Sequence, residues 1–288
     1  MNRCFKQGSS SVFSHLFLFL FALCSITACT KGSTGEFPKE EPKDSVVVLS
    51  VTSVLKPVTF PVNSAIGGYY VAQPSNYDQT TERYPLLIFI PGAGQFGNGS
   101  IDLPLLLKDG PTQLVDEKRF PGVFKVNNKT YSFIVFTPQP KHYPSINDIA
   151  DCIEYAKKTF RVDTSRIYLS GLSIGGVETT NLAAAIPTKL AAIVPMGGVF
   201  LDYASTNKCA AIAASSLPVW AFHSENDPLI NISGARGFIA KLNSFSPSVP
   251  GRLTVWPNGG HDAWTRAVEP NYKENGMNIY EWMLQYNR

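Results

Sequence analysis

The chain has 288 residues, a formal net charge of +3, 44% hydrophobic residues and 16% charged ones. Such a hydrophobic share excludes global disorder, and the length suits one large domain with no room for a big second one. Nucleic acid is excluded as a partner: the 25 basic residues less Arg3 and Lys6, which lie in a leader, leave 23 against 22 acidic ones, without a dense Lys/Arg cluster.

Arg3 and Lys6 precede an apolar run over 16–23, too short to span a bilayer and of the right length for the core of a signal peptide. The residues that follow, Ile26-Thr27-Ala28-Cys29, resemble the bacterial lipoprotein box, which implies cleavage before Cys29 and lipidation of its thiol. An ordinary signal-peptidase site fits less well, because Ile26 is bulky where a small residue is wanted. Residues 1–28 are therefore expected to be a lipoprotein signal peptide and 29–45 a flexible tether, polar and broken by Gly32, Gly35, Pro38 and Pro42. The domain then runs over 46–288, exported and held to a membrane by its lipid, at the outer membrane or cell surface. Of five cysteines, Cys4 and Cys24 leave with the signal. Cys152 and Cys209 remain, and sequence alone allows either a disulfide or two buried thiols.

From residue 46 the composition turns β-branched. Stretches 46–54, 58–62 and 68–73 read as opening antiparallel strands, and 86–90 as a strand buried on both faces. The last ends in Pro91-Gly92-Ala93-Gly94-Gln95-Phe96-Gly97, which contains G-x-G-x-x-G. A dinucleotide site needs a helix to start there, whereas Asn98, Gly99 and Pro104 follow, so no cofactor is expected. An irregular excursion to residue 128 holds a short helix near 103–108 and turns at Gly110-Pro111 and Pro121-Gly122. Strand 132–136 and an amphipathic helix over 146–160 come next, its apolar stripe being Ile149, Cys152, Ile153 and Ala156. Strands at 166–169, 191–196, 217–222 and 252–256 alternate with helices at 177–185, 233–242 and 279–286. That alternation predicts a largely parallel sheet.

Gly171-Leu172-Ser173-Ile174-Gly175 sits between predicted strand and predicted helix, the nucleophile elbow of α/β-hydrolases. A serine hydroxyl needs a base, and the base an orienting acid, in the chain order Ser, Asp or Glu, His. His142 precedes the serine and His223 ends the strand that should carry the acid. His261, in Asn258-Gly259-Gly260-His261 after the last strand, is the expected base. Asp227 and Glu225 compete for the acid, with Asp262 behind them; Asp227, at the turn into the next helix, is preferred. The oxyanion hole is assigned to the backbone N–H groups of Ile174 and Ala93.

Segments 84–94, 133–139, 161–176, 218–223 and 260–267 together resemble the compact α/β-hydrolase esterases, also described as predicted peptidases or carboxylesterases. These are related to dienelactone hydrolases, polyhydroxybutyrate depolymerases and family-one carbohydrate esterases. The resemblance runs from about Gly67 to the C-terminus and implies an α/β fold without a large cap domain, and a serine carboxylesterase without metal or cofactor. Pro91 departs from it, standing where that family usually has a loop-supporting His, and Ile174 replaces its usual Met.

Two other readings stand beside the esterase: a serine peptidase of the prolyl-oligopeptidase-like group, and a non-catalytic binding protein on a hydrolase fold. Peptidase relatives gate their site with a large accessory domain, for which this chain has no room. Only 197–216 separate the strand after the nucleophile helix from the next, too few for an apolar lid. The expected substrates are therefore short acyl or aromatic esters, carried by small molecules or polysaccharides, with Tyr143 and Trp264 as candidate contacts.

Overall fold

The computed structural model describes residues 52–200, 202 and 206–288. Cys29, with the leader and tether around it, lies outside the described residues. The strands, in chain order, are β1 (Ser53–Val58), β2 (Ile66–Pro74), β3 (Tyr84–Ile90), β4 (Phe124–Val126), β5 (Lys129–Tyr131), β6 (Ile134–Pro140), β7 (Val162–Leu172), β8 (Ala192–Met196), β9 (Trp220–Ser224) and β10 (Arg252–Trp256). Eight of them form one sheet in the order β1-β2-β6-β3-β7-β8-β9-β10, with β4 and β5 as a separate hairpin. The first two pairings, β1 with β2 and β2 with β6, are antiparallel and every later one is parallel. The helices are α1 (Gly110–Asp116), α2 (Ile146–Thr159), α3 (Ile174–Ala185), α4 (Thr206–Ala214), α5 (Ser233–Asn243), α6 (Trp264–Ala267) and α7 (Ile279–Met283). A mostly parallel sheet flanked by helices is the α/β-hydrolase fold.

Two cores explain the burial pattern. One packs Ile149, Cys152, Leu182, Ile212 and Phe238, from α2 to α5, on one face. The other packs Leu114, Phe124, Tyr280 and Trp282, from α1, β4 and α7, on the opposite face. A strand between two cores has no polar side, hence the unbroken apolar run of β3, buried at every position. Each such Leu, Ile or Phe contributes about 1.5–3 kcal/mol relative to exposure. The α2 stripe is buried as its spacing predicts, and Ser145 caps that helix by accepting from the Asp148 N–H, which contributes about 1 kcal/mol.

Four departures have identifiable causes. Among the described residues the first strand is Ser53–Val58, which runs across the break expected between 46–54 and 58–62; Pro57 looks like a break, but β1 is an edge strand and Pro is tolerated there. Gly110-Pro111 opens α1 instead of turning, since Pro at the first helical positions forfeits no hydrogen bond. The excursion expected to stay irregular to residue 128 ends in the β4–β5 hairpin, whose Asn127 and Asn128 have φ of 50° and 62°. Two consecutive left-handed residues make the tight turn that suits a hairpin, and Asn adopts it readily. Finally β6 runs on through Pro138 and Pro140. Its ladder with β3 ends at Phe136, so beyond that point one side of the strand needs no N–H.

Candidate active site

Ser173 joins the end of β7 to the start of α3 with φ 52° and ψ −118°. Positive φ in a non-glycine residue costs on the order of 1–3 kcal/mol and persists only where the surroundings impose it. Here they do. The Ser173 N–H donates to the Met196 carbonyl at 2.8 Å. A Cβ on Gly171 would lie 2.4 Å from the Gly175 carbonyl oxygen, and one on Gly175 only 2.1 Å from that of Ile90. The G-x-S-x-G spacing is therefore a packing requirement that lifts the serine Oγ above the sheet.

Three parallel strand ends then converge. Ser173 Oγ lies 2.8 Å from His261 Nε2, and His261 Nδ1 lies 2.8 Å from Asp227 Oδ2. A carboxylate only accepts, so the proton sits on Nδ1 and leaves Nε2 to accept from the serine hydroxyl. Asp227 follows β9 and His261 follows β10; the side chain of Asp227 is 1% exposed and that of His261 17%. Burial pushes the Asp227 carboxyl up, but the Ile230 N–H, His261 and the Leu229 N–H outweigh it and hold the group below its ordinary value. Those two N–H groups reach Asp227 Oδ1 at 3.0 and 2.8 Å. The loops are tied together, too, by Gly260 N–H donating to Asn226 Oδ1 at 2.9 Å.

The competing acids are occupied elsewhere. Glu225 is exposed and pairs with Arg236, and Asp262 accepts from the Thr265 N–H at 3.0 Å. His142 is exposed beside its own turn. Cys152 and Cys209 are both buried, on α2 and α4, with no disulfide joining them.

Ala93 opens a single helical turn and Ile174 opens α3, so neither N–H has an acceptor inside its helix. The α3 N-terminus adds its positive end. Two buried glutamines hold the loop of Ala93 in place. Gln95 Oε1 accepts from Gly92 N–H at 3.1 Å. Gln139, at the end of β6, accepts from Gly99 N–H at 2.9 Å and donates to the Gln95 and Asp102 carbonyls at 3.1 and 2.7 Å. The loop is thus tied down by side chains at 95 and 139, with Pro at position 91. Gln139 does not stand out in the sequence, because no short motif links it to Gly99, some forty residues earlier.

Ser173 and His261 border a cavity of about 450 Å³ whose other walls include Ala93, Leu172, Leu229 and Trp264, with Lys108 and Asp109. Trp264 meets the His261 ring edge to face, centroids 5.2 Å apart, and its indole N–H donates to Asp109 Oδ1 at 3.0 Å. Tyr143 is not brought into this lining. Its phenol bonds the buried Glu178 on α3, and burial together with that carboxylate pushes it up to about 12.

Residues 141–273 match the model of the phospholipase/carboxylesterase family. A bifunctional acetylxylan esterase/xylanase of Neocallimastix patriciarum is 31% identical over 112 residues, 38% of this chain and 16% of that protein, so the chain spans about a sixth of its length. Among solved structures, a thermostable esterase superposes with a TM-score of 0.56 at 20% identity, over 82% of this chain and 63% of its own. A ferulic acid esterase gives 0.51 at 18%, over 74% and 92%. The feruloyl esterase module from Clostridium thermocellum gives 0.51 at 15%, over 75% and 83%. These structural likenesses establish the fold.

Proposed function

We propose, from an α/β-hydrolase fold whose residues 141–273 match the phospholipase/carboxylesterase family, that this chain is a serine carboxylesterase acting on short acyl or aromatic esters of polysaccharides. One observation carries the reading: the unbroken hydrogen-bond chain from Ser173 through His261 to Asp227 at the edge of an accessible cavity. In the proposed reaction Ser173 Oγ attacks the ester carbonyl while His261 Nε2 takes its proton, and Asp227 steadies the imidazolium. The N–H groups of Ala93 and Ile174 receive the oxyanion. His261 returns the proton to the leaving alcohol, and a water deprotonated by the same ring releases the acid from the acyl-enzyme.

The substrate class is supported by the entrance. Between β8 and β9 the described residues hold only the nine-residue α4, and Leu229 at the cavity rim is 74% exposed. Nothing among the described residues of that segment shelters a long chain. The relatives named above are an acetylxylan esterase/xylanase and feruloyl esterases. The test is a panel of esters: kcat/KM on acetyl or butyryl esters should exceed that on chains of about twelve carbons by roughly tenfold or more. Equal or better rates on long chains would contradict the assignment. Lipidation at Cys29 completes the proposal and places the enzyme on a membrane surface. A Cys29→Ala protein should leave the membrane fraction with its activity intact, whereas one that still sediments with membranes would refute lipidation there.

A further inference from the structure

We propose that Asp109, with Lys108 beside it, forms a hydroxyl-binding wall that reads the sugar portion of the ester, an inference that rests on the esterase reading of Ser173.

Asp109 breaks a local rule. It occupies the N-cap of α1, with φ −148° and ψ 164°, yet its side chain makes no capping hydrogen bond. An Asp at that position ordinarily stabilises its helix by about 1 kcal/mol. This one turns instead to the wall of the cavity above Ser173, where Oδ1 accepts from the Trp264 indole and Oδ2 has no hydrogen-bond partner among the described residues. Burial raises the carboxyl; the Trp264 N–H draws it back, Asp262 raises it further and Lys108 lowers it. A carboxylate kept part-buried against its own solvation, with one oxygen unused, is suited to accept from a neutral hydroxyl of a substrate.

The position selects the alcohol side of the ester. His261 must hand its proton to the leaving oxygen, so the departing alcohol lies beside that ring. Trp264 flanks His261 at 5.2 Å between centroids and Asp109 holds Trp264, which sets the carboxylate and the Lys108 ammonium along the alcohol's path. A carboxylate and an ammonium beside the accessible edge of a largely buried indole offer an acceptor and a donor to the hydroxyl rim of a sugar ring.

Asp109→Asn separates reading from mere support of Trp264, because the amide oxygen still accepts from the indole while the unused oxygen becomes an NH₂ donor. The readout is kcat/KM on an acetylated xylo-oligosaccharide divided by kcat/KM on p-nitrophenyl acetate, which lacks a sugar. The variant should lower that ratio by about tenfold or more, and Lys108→Ala should lower it in the same direction. A ratio held within about twofold in both variants would overturn the proposal. A fall seen instead in the ratio of methyl ferulate to methyl cinnamate would move the wall to the acyl side and sink the sugar assignment. Wild-type enzyme gives an independent check: deacetylated xylotriose should compete with p-nitrophenyl acetate, and an absence of competition would count against the wall. Turnover of p-nitrophenyl acetate without either sugar effect defeats the subsite alone; no turnover by the wild type defeats the esterase reading itself.

Discussion

His223 Nε2 lies 3.3 Å from Asp227 Oδ2, the same oxygen that His261 engages at 2.8 Å. His223, the last residue but one of β9, is 1% exposed, and its Nε2 is also 2.8 Å from the Ile230 carbonyl. A carbonyl only accepts, so Nε2 carries a proton and faces both that oxygen and the carboxylate. The Ile230 N–H in turn donates to Asp227 Oδ1, so one imidazole closes the turn that presents the acid.

In the proposed mechanism His223 would be a positioning residue. His223→Leu takes the donor from the part-buried Ile230 carbonyl, a loss of about 1 kcal/mol, and lets the Asp227 turn relax. Its kcat should fall about tenfold with little change in KM, and His223→Gln, which restores an N–H donor, should recover most of the loss. Wild-type kcat in the Leu variant would remove the role.

The acid is tested by a pair of amides. Asp227→Asn forces the wrong imidazole tautomer and should lower kcat by a factor on the order of 10⁴, whereas Glu225→Gln, which touches only the exposed Arg236 pair, should do little. The depressed Asp227 carboxyl also sets a sign for pH. Its hydrogen bonds are worth most where it is ionised, so its stabilising share is complete above the unfolded value of about 3.9 and is lost as pH falls through the lower folded value. Acid melting curves of Asp227→Asn should accordingly lose part of the wild type's pH dependence below about pH 4. The reverse activity ranking of the two amides would transfer the acid to Glu225.

Gln139 carries the next expectation. Replacement by Leu strips three hydrogen bonds from the loop that bears Ala93. Leaving those loop groups buried and unpaired should lower Tm by several degrees, at roughly 2–4 °C per kcal/mol. It should also reduce kcat more than KM, because the N–H aimed at the oxyanion moves. Unchanged kcat in a folded Gln139→Leu protein would separate this clamp from the chemistry.

The legible parts of the chain were those with local rules. Ser173 announces itself by the glycines its turn demands, the α2 stripe by its 3.6-residue period, and His261 and Asp227 by chain order after strands of buried, β-branched and aromatic residues. The residues that escaped follow no regular period. Gln139 and Asp109 bond groups on distant loops, while His223 and Gln95 bond residues a few positions away in irregular turns. The missed elements broke a rule of thumb for a local reason: Gly110-Pro111 starts a helix, and Asn127-Asn128 turns a hairpin inside what looked like an irregular loop.

The central claim is that Ser173, activated by His261, forms the covalent intermediate. Its most direct measurement is the intact mass of the protein after exposure to a fluorophosphonate, followed by peptide mapping. A single phosphonyl adduct on Ser173, absent from Ser173→Ala, is the predicted result, alongside a fall in ester turnover on the order of 10⁶ in that variant. An unmodified wild-type protein, or an adduct that survives in Ser173→Ala, would contradict the account.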